Sequence, residues 1–308
     1  MSRMSPSTLA HLLLLAVVAV WGATFVLVKD ALNDASPLLF NMMRMTIAAI
    51  ALAVVNRRSL RSIDRKTLIS GLIVGIFLAA GYQFQTAGLA RTTAAKSAFI
   101  TGLVVVFVPL LTAIPAIRPA SAHAPRWPSF IGAALAFAGL LLLTTPAGIG
   151  WSSLFSSIGV GDLLTLICAV AFACHLLALA HTSSKVPIAQ LATLQIAAAA
   201  LIMTVTLPLE RPLYLHLTPR LFIALAITSL IATAAAFTIQ SWAQQHLPPT
   251  HTALLLTLEP VFAWLVSFLF LGERLGGRSL GGAALILLGI LITELLPSAE
   301  PVPTYPAA

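Results

Sequence analysis

Two stretches, GAALAFAGLLLL at Gly132–Leu143 and GAALILLGILIT at Gly282–Thr293, share Gly-Ala-Ala-Leu and a second glycine at the same offset, 150 positions apart. Both are apolar and lie within longer apolar runs, so the match suggests that a membrane-spanning unit was duplicated. The same relation recurs upstream, where IAAIAL from Ile47 answers IAAAAL from Ile196. At a spacing of 155, Tyr82 meets Phe237, Gln85 meets Gln240, Ala98 meets Ala253 and Phe107 meets Phe262. At 151, Trp21 meets Phe172 and Thr24 meets His175.

Composition sets the solvent in which these units fold. Of 308 residues 59% are hydrophobic and 8% charged, and the mean hydropathy is +1.00. A water-facing surface carries roughly a quarter charged residues, so a soluble domain is excluded. The net charge of +8 is gathered in short clusters between apolar runs. It forms no basic and aromatic face for a phosphate backbone, and nucleic acid is not an expected partner.

A helix needs roughly 20 apolar residues to cross a bilayer. Ten such segments are expected, at about 10–30, 37–55, 67–89, 94–115, 128–145, 160–180, 187–207, 218–242, 250–271 and 278–296. The expected fold is therefore an all-α polytopic membrane protein of ten transmembrane helices. Residues 1–145 form the first five-helix repeat, 146–159 an outer connecting loop, 160–296 the second repeat and 297–308 a cytoplasmic tail. Five is odd, so the second repeat enters from the opposite side and the topology is inverted, an arrangement that builds carriers with a site near the midplane. The cluster Arg57, Arg58, Arg61, Arg65 and Lys66 places that loop, and with it both termini, in the cytoplasm. The cell inner (plasma) membrane is the expected location. Arg211, Arg220, Arg274 and Arg278 lie on the other side in this topology, two of them beside Glu210 and Glu273.

Polar residues inside spans identify an interior face, because lipid offers them no partner. Tyr82 with Gln85, Phe237 with Gln240, Trp21 with Thr24 and Phe172 with His175 are each three apart on one helix face. Trp21, Thr24, Tyr82, Gln85, Thr101, His175, Phe237 and Gln240 are accordingly candidate substrate-binding residues of an aromatic-walled cavity, the alternative being simple helix-to-helix hydrogen bonding. Arg44 lies about seven residues into its span, roughly 10 Å deep, within reach of snorkelling, and is assigned a structural or gating role. Lys29 and Lys96 fall at outer span ends, where they are either solvated or draw anions to the mouth. Gly71 and Gly75 form a GxxxG suited to close helix packing. Trp127 and Trp151 are placed in an interfacial belt. Cys168 and Cys174 point to different sides of one helix, which supports neither a disulfide nor a metal pair.

The run TALLLTLEPVFAWLVSFLFLGERL, Thr252–Leu275, puts an acid and an imino acid in the middle of a span. Pro260 has no N–H to offer the carbonyl of Leu256 and is expected to kink the helix. Glu259 lies roughly 13 Å deep, with Thr252, Leu255 and Phe262 on the same stripe. A bare carboxylate is costly there. Two roles stand open for Glu259 and Pro260: a proton-coupling or cation-binding site, and a hydrogen-bonded hinge.

The segments VWGATFVLVKDAL, NMMRMTIAAIAL, GLARTTAAKSAFITGLVVVFVPLL and LLLTLEPVFAWLVSFLFLGERL, the last followed by GGAALILLGIL, resemble the EamA-like branch of the drug/metabolite transporter superfamily. The similarity runs from about residue 10 to 296. It implies ten helices in two inverted bundles, a cavity lined by spans one, three, four, six, eight and nine, and movement of small metabolites, often outward. Val104-Val105 stands where the second copy has Glu259-Pro260, so the halves are not chemically equivalent. An enzyme is not expected: no zinc-binding His-Glu-x-x-His, paired acids, or nucleophile with a base occurs in the spans, and no cofactor or metal is called for. The expected function is secondary active transport, by alternating access, of small organic metabolites that are amino-acid-like or drug-like. An exporter functional as a monomer is expected, with proton coupling open and the lipid bilayer and a small-molecule substrate as its partners. A nucleotide-sugar or phosphate-ester exchanger and a nontransporting sensor are the alternatives.

This topology is tested by cysteine labelling of intact cells. A cysteine replacing Ser153 is expected to react with an impermeant reagent while one replacing Ser62 does not; the reverse pattern overturns the orientation.

Overall fold

The computed structural model describes residues 5–120, 126–144, 158–247, 252, 255, 256 and 258–296. Two calls on the sequence, the 146–159 loop and Trp151, lie mostly or wholly outside the described residues, as does the 297–308 tail. The described residues are mostly helical with no strand; a single antiparallel bridge pairs Ala35 with Leu215.

Helix α1 spans Pro6–Ala31, α2 Pro37–Val55, α3 Arg65–Leu89, α4 Ala94–Thr101, α5 Val104–Leu111 and α6 Trp127–Thr144. In the second half α7 spans Val160–Thr182, α8 Ile188–Thr206, α9 Pro219–Ala226, α10 Ala236–Ala243, α11 Glu259–Leu271 and α12 Gly277–Leu295. Seven stretches among the described residues are long and apolar enough to cross a membrane, α4 with α5 and α9 through α10 each counting as one; Phe130–Leu143, Glu259–Leu271 and Gly277–Gly289 are shorter apolar helices. Local chemistry fixes the starts. Ser5 and Asp64 accept hydrogen bonds from the amides of Thr8 (3.1 Å) and Thr67 (2.7 Å), and Pro6, Pro37 and Pro219 stand in first turns where a missing N–H costs nothing.

Sidedness is inverted relative to a soluble protein. Ile50, Val54, Ile73, Ile76, Leu201 and Phe222 face outward, whereas Asn41, Arg44, Gln195, Gln240, Thr228 and Thr233 are buried. That distribution fits a lipid surround and a polar interior, and makes the chain a multi-pass membrane protein.

Three expectations are corrected. The span expected at 94–115 is two helices, broken at Gly102 and Leu103. The span expected at 218–242 contains a nine-residue π-helix, Ile227–Ala235, between α9 and α10. In the span expected at 250–271, Pro260 does not kink a continuous helix: Leu258 is an N-cap and Pro260 sits in the first turn of α11. There its missing N–H is one of the four that a helix start leaves unbonded. At a spacing of 155, Leu258 answers Leu103, which is likewise the N-cap of α5. The break therefore recurs in both halves, with proline only in the second.

The two opening stretches pack against each other. A Cβ on Gly139 would lie 2.5 Å from the Gly282 carbonyl oxygen, and one on Gly282 would lie 2.6 Å from that of Gly139. Gly289 abuts the Gly132 carbonyl in the same way, so α6 and α12 run antiparallel with backbones in contact. Gly71 and Gly75 similarly admit Leu194 and Ala198 of α8. Close approach of small residues supplies the dispersion contact on which helix association in lipid depends.

Gly139→Ala is expected to lower the thermal stability of the purified protein by about 1–3 kcal/mol through overpacking against backbone. Gly281→Ala, whose new methyl would meet nothing within 4 Å, serves as the control and is expected to leave the midpoint unchanged. Equal midpoints for both variants would remove this contact from the account of stability.

Candidate functional site

A cavity of about 60 Å³ lies at the centre of the bundle. A single water needs roughly 10–15 Å³ by such a measure, so the space holds several. On α1, Trp21, Thr24, Phe25 and Val28 line it at the i, i+3, i+4, i+7 spacing of one helix stripe. Tyr82 and Gln85 come from α3, Thr101 from the end of α4, His175 from α7, Phe237 and Gln240 from α10, and Glu259 from the first turn of α11. Arg44 adds α2 to the wall.

The ring contacts form one continuous aromatic surface. Phe237 lies 5.3 Å from Trp21, 6.0 Å from Tyr82 and 5.7 Å from His175, while Phe172 meets Tyr82 edge-on at 5.4 Å. The Trp21 indole donates to the Ala232 carbonyl (2.8 Å), and the Thr24 hydroxyl donates to the Trp21 carbonyl (2.7 Å). Ala232 belongs to the π-helix, a rare local geometry that recurs at functional sites.

Arg44 does not snorkel. It is 3% exposed; its Nε donates to Thr233 Oγ1 (2.8 Å), its Nη2 donates to the Tyr82 hydroxyl (3.1 Å), and the guanidinium stands 4.4 Å from the Tyr82 ring centroid. The π-helix supplies the hydroxyl that makes this inward geometry satisfiable, a partner that span depth alone does not reveal. Asn41 steadies the same face of α3, donating to the Tyr82 carbonyl (2.9 Å) and accepting from Thr86 (3.1 Å).

A hydrogen-bond chain orients His175. The Ser241 hydroxyl donates to the Phe237 carbonyl (2.6 Å) and so accepts from Gln195 Nε2 (3.1 Å). The carbonyl end of Gln195 is left facing His175 Nε2 at 2.9 Å, which therefore donates, and Nδ1 of the neutral ring is an acceptor. Gln240 is buried, and its Oε1 has no partner among the described residues.

Glu259 is half-buried and makes no hydrogen bond or ion pair among the described residues. Gly22 sets its position: a Cβ there would lie 2.7 Å from the Glu259 carbonyl oxygen and 2.6 Å from Phe262 Cβ, so α1 and the start of α11 are in backbone contact. The positive end of the α11 dipole favours a carboxylate at this point. Of the residues expected beside Glu259, Leu255 packs with Ala10, Leu14 and Ala243, and Phe262 packs beside Gly22 against the core cluster that also holds Leu256 and Val104, both of which line the cavity. Pro260 is buried behind the wall, against Gly102 at the break between α4 and α5.

Thr86, Leu176 and Val104 line the cavity without having been expected there, while Phe172, expected as the aromatic partner of His175 on one helix face, lines it as well. Thr233 was also missed, although a hydroxyl within the run Thr228–Thr233 is the kind of residue that bonds its own backbone in a membrane helix. The lysines are corrected too. Lys29 donates to the carbonyls of Leu89 (2.7 Å) and Thr92 (2.8 Å), and Lys96 pairs with Asp162 (2.8 Å), so neither is simply solvated. No group of three His, Cys, Asp or Glu among the described residues could hold a metal ion.

Comparison with known proteins adds a family. The model of the EamA-like transporter family matches residues 8–145 and again 159–295. An uncharacterized transporter of Archaeoglobus fulgidus is 33% identical over 286 residues, covering 93% of this chain and 86% of that protein. The uncharacterized transporter YoaV of Bacillus subtilis is 23% identical over 290 residues, covering 91% of this chain and 94% of its own. One solved crystal structure superposes with a TM-score of 0.66 at 20% identity, over 94% of this chain and 97% of that one, a likeness of fold.

Proposed function

The chain belongs to the EamA-like transporter family and is a membrane transporter, and from that premise we propose that it is a secondary active carrier of small amino-acid-like or drug-like solutes. The observation that carries the substrate reading is a pair of opposite charges, Arg44 and Glu259, lining one aromatic-walled cavity with no ion pair between them. A solute with an anionic end and an N–H-bearing cationic end on an apolar body matches that lining, with Trp21, Tyr82 and Phe237 around the body. Gln85, Gln240, His175, Thr24 and Thr101 select among polar heads.

In this reading the seven long stretches and three shorter apolar helices make ten spans. Residues 1–145 and 160–296 are two inverted five-span repeats joined by an outer loop at 146–159 and followed by a cytoplasmic tail at 297–308. The antiparallel contact of α6 with α12 and the twofold family match support it. The carrier works by alternating access as a monomer in the cell inner membrane, both termini cytoplasmic, and it exports. Glu259 couples transport to protons: among the described residues it makes no hydrogen bond or ion pair, so protonation and deprotonation can accompany occupation of the cavity.

Proteoliposome flux tests the carrier, since saturable flux stimulated by countertransport identifies one and nonsaturating flux a channel. Gln85→Leu and Gln240→Leu are each expected to lower transport roughly two- to tenfold at equal folded yield, about one lost hydrogen bond. Normal transport by both removes the cavity assignment. Glu259→Gln is expected to fold and to lose the pH dependence of exchange, whereas unchanged pH dependence leaves Glu259 and Pro260 as a hinge.

A further inference from the structure

Three ion pairs between described residues, Lys96–Asp162 at 2.8 Å, Arg220–Asp34 at 2.7 Å and Arg220–Asp30 at 3.2 Å, each join the first half of the chain to the second. All lie at one end of the bundle. Asp30 and Asp34 close α1, Lys96 is in the first turn of α4, Asp162 in that of α7 and Arg220 in that of α9. Hydrogen bonds tie them into a belt: Lys29 donates to the carbonyl of Thr92, whose hydroxyl donates to Asp162 (3.2 Å). Beside Asp34, the Ser36 amide donates to the Tyr214 carbonyl (3.1 Å) and the His216 amide to the Asp34 carbonyl (2.7 Å).

The belt adjoins one end of the cavity wall. Val28 and Leu89 line the space, and Lys29, next to Val28, donates to the Leu89 carbonyl. At the opposite end the ties between halves made by Asn56 with Thr193 (3.0 Å) and Gln190 with the Ser59 carbonyl (2.7 Å) are between neutral groups. The two ends are thus closed by different chemistry.

We propose that the Arg220–Asp34–Asp30 and Lys96–Asp162 pairs are the latch of the outer gate, holding that end of the cavity shut in the conformation described here. The inference rests on alternating access as proposed above. Arg220 binds Asp34 as a fork, Nε to Oδ2 at 2.7 Å and Nη2 to Oδ1 at 2.8 Å, which defines one closed geometry. Arg220 and Asp30 are 43% and 42% exposed, whereas the side chains of Asp34 and Asp162 are 6% and 4% exposed, so parting these pairs returns Arg220 to water and lets water reach the two buried acids. The exposed Arg220–Asp30 pair contributes little, so the closure rests on the two pairs with a buried carboxylate.

The latch responds to salt before it responds to acid. Asp34 is faced by Arg220, Thr218, Asp30 and His216, and the hydrogen bond from Arg220, then that from Thr218, holds its carboxyl down to about 2. A depressed carboxyl contributes fully above its ordinary value and is lost only as pH falls toward the lowered one, so Asp34 remains charged at pH 5. Salt at about 1 M shortens the screening length to roughly 3 Å and weakens the Arg220–Asp30 pair most, the pairs with a buried carboxylate less.

The test places a single cysteine at Val28, just beneath the belt, in a chain carrying Cys168→Ala and Cys174→Ala, and follows its reaction with an impermeant methanethiosulfonate applied to intact cells. Arg220→Gln is expected to speed labelling roughly 5- to 30-fold, the effect of one or two modest interactions on an equilibrium. High salt is expected to speed it with Arg220 present, an arm that needs no change at Arg220, and to add little once Arg220 is replaced. Unchanged labelling under both treatments overturns the latch. Acceleration only for reagent delivered to the cytoplasmic face moves the latch to that side and overturns its assignment as the outer gate. A protein that carries solute while labelling stays unchanged loses the latch alone; one whose labelling responds but which carries nothing retains the latch and loses the carrier reading.

Discussion

Hydrocarbon gives a polar side chain no partner, and this one constraint arranges the interior of the protein. Arg44, Asn41, Gln195 and Ser241 are all buried, and each is engaged by a group from another helix: Arg44 by Thr233, Asn41 by Tyr82, and Gln195 by both His175 and Ser241. Where partners are absent the lining is left open. Gln240 Oε1 and the Glu259 carboxylate are such places, and both belong to the cavity wall. Other buried polar atoms without a partner among the described residues, such as Ser97 Oγ and Trp264 Nε1, lie away from the cavity, so it is an open group together with a place in the wall that marks Gln240 and Glu259 as candidates for contact with a solute or its accompanying water.

Departures from the internal match are as informative as the match. At the spacing that aligns Ile47 with Ile196, Arg44 faces Thr193, and at 155 Glu259 faces Val104. The π-helix Ile227–Ala235 answers residues 72–80, which lie inside the regular helix α3. These differences are coupled in space: the π-helix offers the Thr233 hydroxyl to Arg44 and the Ala232 carbonyl to Trp21. A guanidinium inserted between α2 and this segment needs acceptors, and the segment supplies them. Symmetric positions thus form the aromatic walls and the glutamine pair, while asymmetric ones carry the charge.

Helical class and the interior face were legible because both follow from solvent: apolar runs of span length, and polar residues three apart within them. Trp21, Tyr82, Gln85, His175 and Gln240 were readable as an inward set for that reason. The breaks at Leu103 and Leu258 were not, since a proline at position 260 is compatible with a kinked helix and with a new one, and the choice depends on what packs behind it. Nor was the direction of Arg44, because depth alone permits snorkelling and only a partner on another helix decides against it. Lys29 posed the same difficulty: three free carbonyls at the end of α3 attract it, and their location depends on where α3 stops relative to α1.

Helix α1 connects the two levels of the structure. One stripe of it, Trp21 to Val28, faces the cavity, the next residue, Lys29, enters the belt, and Gly22 on another face touches the backbone of α11. These contacts differ in how they part. Separating α1 from α11 opens a void where a backbone oxygen, Phe262 Cβ and Gly22 had no room for a methyl group, and all the dispersion energy of that contact is lost at once. Separating Lys29 or Asp34 from its partners exposes groups that water solvates. Backbone-close glycine contacts of this kind join the halves at α1 with α11, α3 with α8 and α6 with α12. Through Gly22, the helix whose end carries Lys29 and Asp30 also abuts the residue that brings the Glu259 carboxylate to the cavity, so the belt and the cavity's acid are linked by one helix.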